Sequence, residues 1–322
     1  MNAYWKGFPE IDAELDEVKQ FMLSSIEDAM PIIKDPITEI IEAGGKMLRP
    51  ALVVLGAGFG KYNKDRIVPI AACVEFLHTA TLIHDDVIDE SKLRRGIESI
   101  QSKYSKDVAV LLGDYIFAKV FDILVGDYPA EMLKNLSKSI LQICKGELSQ
   151  YSNRYSDNIE FEQYIEIIAG KTAALFSMSL FSGAYEAEAK NSVIRHLSKL
   201  GYCMGMMFQI TDDCLDYKHD TNTLGKSAVN DIKQGYITLP MFYALKKDDD
   251  NKLHKLVFES ELSESNLQDI RKLVIELDGV KTAEEKAKEY RVDAYSALKK
   301  LKKSKEKKVL EYIISSMMDR SF

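Results

Sequence analysis

The chain has 322 residues, a formal net charge of −7 and 46% hydrophobic residues, so it is long enough to bury a substantial core. An acidic chain without a basic stripe argues against nucleic-acid binding, and its acidity is compatible with metal binding. It contains only seven prolines and seventeen glycines, and strict alternation of apolar and polar residues is nearly absent. We therefore predict an almost wholly helical fold.

The cysteines and the N-terminal residues bear on the cellular compartment. Cys73, Cys144, Cys203 and Cys214 lie singly in apolar or helical surroundings, with no C-x-x-C pair. This predicts reduced, buried thiols. The first ten residues have no apolar core of signal-peptide length, and no run of 18 apolar residues occurs. We expect a cytoplasmic protein with at most peripheral membrane contact.

The first predicted elements are a helix over 11–30 and a short helix over about 36–43, separated by prolines. Paired glycines end the second helix, and Lys46 and Arg49 follow, three residues apart. Two cations beside a permissive backbone predict an anion site. A basic helix end followed by a turn is the alternative interpretation.

The next helix is predicted over 67–89 and ends in three aspartates, of which Asp86 is the middle one. Asp85 and Asp89 lie four residues apart and therefore share one helix face. Carboxylates this close repel each other unless a cation lies between them, and oxygen ligands suit Mg²⁺. The cluster alone could also be a solvated helix end.

Two adjacent arginines, Arg94 and Arg95, follow this cluster. Their planar guanidinium groups suit phosphate oxygens, although they could also simply neutralise the aspartates. Further helices are predicted over 107–125, from Pro129 to about Gln150, and over 162–182. In the last of these, Lys171 lies in a run of small and apolar residues. A lysine in such surroundings requires an anionic partner.

A long helix over about 192–217 repeats the acidic ending, with Asp212, Asp213 and Asp216 at its end. Two D-D-x-x-D clusters, each closing a long apolar helix, are hard to explain as two solvated helix ends. If they face each other across a helical bundle, they form an acidic rim above an apolar interior. Such a rim would suit several Mg²⁺ ions and one phosphorylated, hydrophobic substrate.

The polar loop over 218–230 is too long for a simple turn and contains Gly225 and Lys226. These features predict a lid that closes on the site. Residues 242–322 predict amphipathic helices without a recognisable motif. The lysine-rich run at 299–308 predicts a solvated helix face, with contact to an anionic membrane surface as the alternative.

Six motifs, taken together and in this order, closely resemble those of the trans-isoprenyl diphosphate synthases. They are G-G-K-M-L-R-P at 44–50, H-D-D-V-I-D at 84–89, R-R-G at 94–96, G-K-T-A at 170–173, F-Q-I-T-D-D-C-L-D-Y at 208–217 and D-I-K-Q-G-Y-I-T-L-P at 231–240, the last preceded by G-K at 225–226. The resemblance spans about residues 40–245. It is greatest to the medium- and long-chain bacterial enzymes, especially the catalytic component of heptaprenyl diphosphate synthase.

The resemblance implies an isoprenoid synthase fold, in which residues 1–322 form a single all-α domain of ten or more helices around a deep central cavity. It also implies repeated head-to-tail condensation of isopentenyl diphosphate with an allylic diphosphate, with three Mg²⁺ ions bound beside the substrate. The implied assembly is a homodimer, or a heterodimer with a small helper subunit. No nucleic acid is an expected partner.

The resemblance also assigns roles to individual residues. Asp85, Asp89 and Asp212 are implied to be direct Mg²⁺ ligands, supported by Asp86, Asp213 and Asp216. The allylic diphosphate would be held by Arg94, Lys171 and Lys226, and isopentenyl diphosphate by Lys46, Arg49, His78 and Arg95. Thr172 and Gln209 would lie over the carbocation. One departure is Tyr236, because many relatives have a lysine there and so have one more cation on the diphosphate.

Product length is expected to depend on the residues just before the first aspartate. Family members with short products often place a bulky aromatic residue four or five positions earlier, where this chain has Thr81 and Ala80. Both are small, so we expect the growing chain to pass them and to stop deeper, near Leu77, Cys73 or an apposed helix. The expected product is longer than geranylgeranyl, with heptaprenyl as the best single estimate.

Three alternatives to this function remain open. The first is a synthase with a shorter product, geranylgeranyl or farnesyl diphosphate. The second is a class I terpene cyclase, which would normally replace the second aspartate cluster by a different metal motif. The third is a non-catalytic synthase subunit, which would generally have lost aspartates.

Overall fold

The computed structural model describes residues 3–94, 96–218, 231–260 and 262–318. Within these residues there are fifteen α-helices and one pair of two-residue strands, which confirms the predicted all-helical fold class. Contacts divide the chain into two compact units. The first comprises Met1–Ser137, Met178–Ser198 and Lys302–Val309, and the second comprises Lys138–Ser177, Lys199–Leu301 and Leu310–Phe322. The single domain and its deep cavity stay predictions.

A 3₁₀ turn at Ala3–Trp5 precedes the helices. The first helices are α1 (Pro9–Ser24), α2 (Pro31–Ala43), α3 (Leu48–Ala57), α4 (Lys64–Ile88), α5 (Ile100–Lys103), α6 (Lys106–Leu124), α7 (Ala130–Ser152) and α8 (Phe161–Ile168). After a π-helical turn at Ala169–Ala173 come α9 (Ala174–Glu186), α10 (Asn191–Lys218), α11 (Leu239–Leu245), α12 (Lys252–His254), a second π-helical turn at Lys255–Glu259, α13 (Glu264–Glu276), α14 (Gly279–Lys299) and α15 (Lys305–Met318). The strands β1 (Leu93–Arg94) and β2 (Ile97–Glu98) pair antiparallel between α4 and α5, with Leu93 opposite Glu98.

Helix α4 is the central element of the first unit and packs against α1, α3 and α6. The Asn63 side chain caps its first turn by accepting a hydrogen bond from the Asp65 amide. Its 25 residues span about 37 Å, and the buried side chains run along most of this length. Asp89 is the C-terminal capping residue. The helix therefore carries the first aspartate cluster at the end of a long buried rod.

Helices α3 and α9 of the first unit approach each other closely because glycine occupies the contact. A Cβ atom at Gly183 would lie 1.9 Å from the Val53 carbonyl oxygen and 3.0 Å from the Ala57 amide nitrogen. We expect Gly183→Ala to lower the free energy of unfolding by about 1–3 kcal/mol, because backbone atoms cannot move aside as a flexible side chain can. Gly7→Ala is the matched control, because a Cβ atom there meets nothing within 4 Å. Urea unfolding curves measure both, and equal stability of the two variants would contradict this packing.

The second unit has its own apolar core around the C-terminal half of α10. Ile210, Cys214 and Tyr217 of α10 belong to one cluster with Tyr164 of α8 and Ile237, which precedes α11. Helices α11, α13 and α14 also pack together in this unit. This core fixes the helix end that carries the second aspartate cluster.

Two sequence predictions about the early helices are wrong. The first helix ends at Ser24 rather than near Met30, and the second begins at Pro31 rather than near Pro36. Pro31 lies in the first turn of α2, where a helix needs no amide donor. Pro36 lies inside α2 and is buried, so the helix continues although one amide donor is missing.

The cysteines and the lysine-rich run are also only partly as predicted. All four cysteines are unpaired thiols, and Cys73, Cys203 and Cys214 are buried, but Cys144 is exposed on α7. Position 144 lies on the solvent face of this amphipathic helix. The lysine-rich run at 299–308 does not form one helix face, because it spans the end of α14, a turn and the start of α15.

Among the residues that the structure describes, two helical stretches are long and apolar enough, by length and composition, to cross a membrane. They are Lys64–Ile88 and Phe161–Glu186, and 72% and 78% of their most apolar windows are buried inside the protein. Buried core helices of globular proteins pass the same test. The two stretches are therefore weak indicators of a membrane span.

Candidate active site

The first aspartate cluster separates into one buried and two half-buried carboxylates. Asp86 is 4% exposed, whereas Asp85 and Asp89 are half-buried. Arg94 donates from Nε to both Asp86 oxygens, at 3.0 and 3.2 Å, and its Nη2 also donates to Oδ1. Burial raises the pKa of Asp86, and the ion pair with Arg94 opposes that rise. Asp85 and Asp89 are thus the carboxylates of this cluster that water and ligands can reach.

The position of Arg94 follows from the small hairpin after α4. Gly96 forms the turn between β1 and β2 with φ +82°, a conformation that favours glycine. Burial lowers the pKa of Arg94, but its hydrogen bond with Asp86 and the nearby aspartate charges outweigh this, so the net pKa is raised. Here Arg94 neutralises Asp86, and its role on the allylic diphosphate stays a prediction. Arg95 lies outside the described residues.

His84 fixes the end of α4 against α6 immediately before Asp85. Its Nε2 atom lies 3.1 Å from the Val110 carbonyl oxygen, and a Cβ atom at Gly113 would lie 2.1 Å from that nitrogen. The imidazole therefore occupies space that only a glycine on α6 leaves open. In the sequence, His84 is recognisable only as part of the H-D-D-V-I-D motif, and no local pattern predicts this contact.

Two of the residues predicted to hold isopentenyl diphosphate touch each other in the first unit. Arg49 of α3 and His78 of α4 lie 3.0 Å apart between Nη1 and Nε2. Lys46 precedes α3, and Trp5 Nε1 donates to its carbonyl oxygen at 2.7 Å. Its Nζ lies 5.1 Å from the centroid of the Tyr4 ring. The loop that carries Lys46 begins at Gly44, which has φ +71°.

The residues predicted to control product length lie on two different faces of α4. Cys73, Leu77, Ala80 and His84 form one stripe at helical spacing, and it faces α6, because Cys73 Sγ lies 3.9 Å from the Val120 carbonyl oxygen and His84 packs on Gly113. Ala80 is fully buried and Leu77 is 1% exposed. Thr81 instead shares the face of α4 that carries Asp85, lies one turn before it and is half-buried.

Like the first, the second aspartate cluster separates into one buried and two half-buried carboxylates. Asp213 is 5% exposed, and it accepts hydrogen bonds from Tyr164 Oη at 2.7 Å and from Gln209 Nε2 at 2.9 Å. Burial raises the pKa of Asp213 to about 7, although both hydrogen bonds act to lower it. Asp212 and Asp216 are half-buried and share one face of α10.

In each cluster, therefore, the middle aspartate accepts hydrogen bonds from protein side chains, and the other two are more accessible. We call Asp86 and Asp213 the inner aspartates, and the outer aspartates are Asp85, Asp89, Asp212 and Asp216. Within the described residues, no group of three or more His, Cys, Asp or Glu side chains is placed to hold a metal ion. This donor set fits Mg²⁺, which is commonly held by one or two carboxylates and completes its shell with waters and substrate phosphates. The outer aspartates are the carboxylates that such an ion could reach. The roles of Asp85, Asp89 and Asp212 as direct Mg²⁺ ligands stay predictions.

A hydrogen-bonded chain links two further predicted residues to the second cluster. Thr172 Oγ1 donates to Gln209 Oε1 at 2.7 Å, and the Gln209 amide in turn donates to Asp213. Thr172 lies in the π-helical turn between α8 and α9, an insertion that helical periodicity does not reveal. Such single turns occur frequently at functional sites. This turn and Gln209 hold each other in one orientation.

Lys171 lies in the same π-helical turn and has the anionic partner that its surroundings require. Its Nζ donates to Glu147 Oε2 at 2.9 Å and to Gln150 Oε1 at 3.0 Å. Glu147 and Gln150 are three residues apart on α7, and sequence reasoning missed both, as it missed Tyr164. A Cβ atom at Gly146 would lie 2.7 Å from the Lys171 amide nitrogen, so α7 and the turn are in close backbone contact.

Tyr164→Phe is expected to lower the free energy of unfolding by about 1–3 kcal/mol, because it removes a donor from the buried Asp213 carboxylate. Tyr243→Phe is the matched control, since the Tyr243 hydroxyl makes no hydrogen bond within the residues described above. Urea unfolding of both variants measures the difference. An equally small effect of the two substitutions would contradict an anchoring role of Tyr164.

The remaining predicted positions follow α10. Lys226 and the predicted lid at 218–230 fall outside the described residues, apart from Lys218, which ends α10. Tyr236 precedes α11, and the Arg154 guanidinium carbon lies 4.8 Å from the centroid of its ring. The lid stays a prediction.

An all-α fold with two D-D-x-x-D clusters at the ends of long helices defines an isoprenoid synthase. The sequence model of the family described as polyprenyl synthetase matches residues 30–274. Heptaprenyl diphosphate synthase component 2 of Bacillus subtilis (strain 168) is 30% identical over 312 residues, which cover 97% of this chain and 89% of the relative.

Solved structures agree with this assignment. The geranylgeranyl pyrophosphate synthase from Lactobacillus brevis ATCC 367 has a TM-score of 0.93 at 31% identity, covering 99% of each chain. The polyprenyl synthase from Caulobacter crescentus CB15, solved as a complex with calcium and isoprenyl diphosphate, has a TM-score of 0.91 at 31% identity, covering 97% of this chain and 96% of that one. This chain belongs to the polyprenyl synthetase family, and it is a prenyltransferase that elongates prenyl chains.

Proposed function

We propose that the protein condenses isopentenyl diphosphate head-to-tail with an allylic diphosphate and stops at heptaprenyl diphosphate. The observation that carries the chain length is the small size of Ala80 and Thr81, one turn before the first aspartate. The name of the Bacillus subtilis relative supports the same length. The name of the Lactobacillus brevis neighbour supports the alternative, a geranylgeranyl product.

The acidic residues provide the electrostatics of the first chemical step. Asp85, Asp89 and Asp212 are proposed to hold three Mg²⁺ ions together with the allylic diphosphate. When bound, these ions would neutralise the charge that develops on the departing diphosphate. The buried Asp86 and Asp213 keep the outer aspartates in position through Arg94, Tyr164 and Gln209. The calcium and isoprenyl diphosphate in the Caulobacter crescentus structure support a divalent metal beside such a substrate.

The remaining polar residues position the second substrate and the cation. Arg49 and His78 are proposed to bind the isopentenyl diphosphate together with Lys46 and Arg95, so that the alkene meets the allylic cation before water does. The oxygens of Thr172 and Gln209 carry partial negative charge and would stabilise the cation. No His or Glu side chain in these motifs is an obvious base, so the departing diphosphate is proposed to accept the final proton.

We propose that the active assembly is a homodimer in the cytoplasm. Burial of the two most apolar helical stretches supports this compartment, with at most peripheral contact to a membrane. The words "component 2" in the name of the Bacillus subtilis relative support the alternative, a heterodimer with a small second subunit.

The experiment is to incubate the purified protein with Mg²⁺, labelled isopentenyl diphosphate and geranyl, farnesyl or geranylgeranyl diphosphate, and to size the extracted products. The expected products are linear and reach seven isoprene units. A main product of four units or fewer would contradict the proposed length, and cyclic hydrocarbons would identify a cyclase. If the chain elongates only after a second subunit is added, the homodimer proposal is wrong.

A further inference from the structure

The guanidinium group of Arg154 lies against two aromatic rings in the second unit. Its Cζ atom is 5.1 Å from the ring centroid of Tyr151 and 4.8 Å from that of Tyr236. Aromatic faces attract a cation, but the N–H donors of a guanidinium point outward in its plane and are not satisfied by the rings.

The described part of the chain places no carboxylate within ion-pair distance of Arg154; its side-chain contacts are the two tyrosine rings. In addition, its Nε atom is buried without a hydrogen-bond partner among those residues. A buried donor on a permanent cation is costly unless an acceptor completes it. The natural acceptor is an anion with several oxygens.

The segment that carries Tyr236 is hydrogen-bonded to Tyr155, the residue that follows Arg154. The Tyr155 amide donates to the Gly235 carbonyl oxygen at 2.8 Å, and Tyr155 Oη donates to the Lys233 carbonyl oxygen at 2.9 Å. Gly235 has φ +78°, and a Cβ atom there would lie 2.5 Å from the Tyr155 ring. Arg154 and Tyr236 are thus set in position before any ligand binds.

Arg154 follows α7, the helix that carries the partners of Lys171, a residue predicted to hold the allylic diphosphate. Gln150, four residues before it, accepts a hydrogen bond from Lys171. On the other side, Tyr217 and Ile237 belong to one apolar cluster, and they directly follow Asp216 and Tyr236 in the chain. Arg154 therefore lies between the end of α7, which carries the partners of Lys171, and the segment that precedes α11.

We infer that Arg154 is a further substrate-binding residue, which donates to the diphosphate oxygens of the allylic substrate while Tyr236 supports the guanidinium from one face. A planar guanidinium can bind two such oxygens at once. The inference rests on the proposed function and adds a binding residue to it. It also accounts for Tyr236, because the cation comes from Arg154 instead of from the side chain at 236.

The test compares Arg154→Gln, Arg154→Lys, Tyr236→Leu and Tyr236→Phe. The measurements are the KM for each of the two substrates, the Kd for inorganic diphosphate with Mg²⁺, and the melting temperature. Arg154→Gln is expected to raise the allylic KM and the diphosphate Kd ten- to hundredfold and to leave the isopentenyl KM unchanged. Arg154→Lys should recover part of the loss. Tyr236→Phe keeps the ring face and should weaken diphosphate binding less than Tyr236→Leu does. The diphosphate Kd of Tyr236→Leu should lie between those of the wild type and of Arg154→Gln.

Unchanged allylic KM and diphosphate Kd in Arg154→Gln would overturn the inference. This holds even if the melting temperature falls, because Arg154 would then only stabilise the contact between α7 and the segment that carries Tyr236. An equal rise in both substrate KM values would also overturn it. If Arg154→Gln does not fold, equal diphosphate affinity of Tyr236→Leu and Tyr236→Phe would overturn the inference. Diphosphate binding is measured without turnover, so a wild type that binds diphosphate but does not elongate refutes the proposed function alone.

Discussion

Asp85→Asn and Asp212→Asn are each expected to lower the kcat of prenyl elongation by about 10³-fold, with little change in stability. Each substitution keeps the size of the side chain and removes one carboxylate charge from a half-buried position, so packing is preserved. Steady-state kinetics at saturating Mg²⁺ and substrates measure the effect. The two variants should be similar, since both clusters are proposed to act on the same departing diphosphate.

Asp250→Asn is the matched control for these variants, because Asp250 is an exposed carboxylate in the turn between α11 and α12. It should retain the wild-type kcat. If Asp212→Asn also retained the wild-type kcat while Asp85→Asn did not, only the first cluster would contribute to catalysis. The assignment of the second cluster as a metal site would then be wrong.

Thr81→Phe is expected to shorten the main product from seven isoprene units to four or fewer. Thr81 is half-buried one turn before Asp85, so a phenyl ring there would block the path of the growing chain. Ala80→Phe should shorten the product as well. Ala80 is fully buried, and overpacking there should also cost about 1–3 kcal/mol of stability. Sizing of the extracted products by chromatography and mass spectrometry measures the change.

Thr81→Val serves as the control for product length, because it keeps the side-chain volume and removes only the hydroxyl that donates to the His78 carbonyl oxygen. Its product should have the wild-type length. Unchanged product lengths in both phenylalanine variants would show that the growing chain does not pass this level of α4. The length proposal would then have to be abandoned.

The long helices and their aspartates could be predicted from the sequence for a physical reason. Helices α4 and α10 are long and strongly periodic, so their limits were predicted to within about three residues. The spacing of four residues alone places Asp85 with Asp89, and Asp212 with Asp216, on shared faces. Local periodicity therefore sufficed to find both clusters.

The sequence does not predict which aspartates of each cluster are buried and which are half-buried. This difference depends on Arg94, which is placed by a hairpin of two short strands with two residues each. It also depends on Tyr164, which lies 49 residues before Asp213 in the chain. Lys171 and its partners on α7, and likewise Arg154 and Tyr236, are also far apart in sequence. No local pattern specifies such pairs, and a π-helical turn leaves no mark in helical periodicity.

Both aspartate clusters are proposed to hold the allylic diphosphate through divalent metal ions. The most direct test is calorimetric titration of the protein with a non-reactive allylic thiodiphosphate, with Mg²⁺ and then with excess chelator. We predict at least hundredfold weaker binding without the metal, and the same loss with Mg²⁺ present in both Asp85→Asn and Asp212→Asn. Equal affinity with and without the metal would contradict the claim.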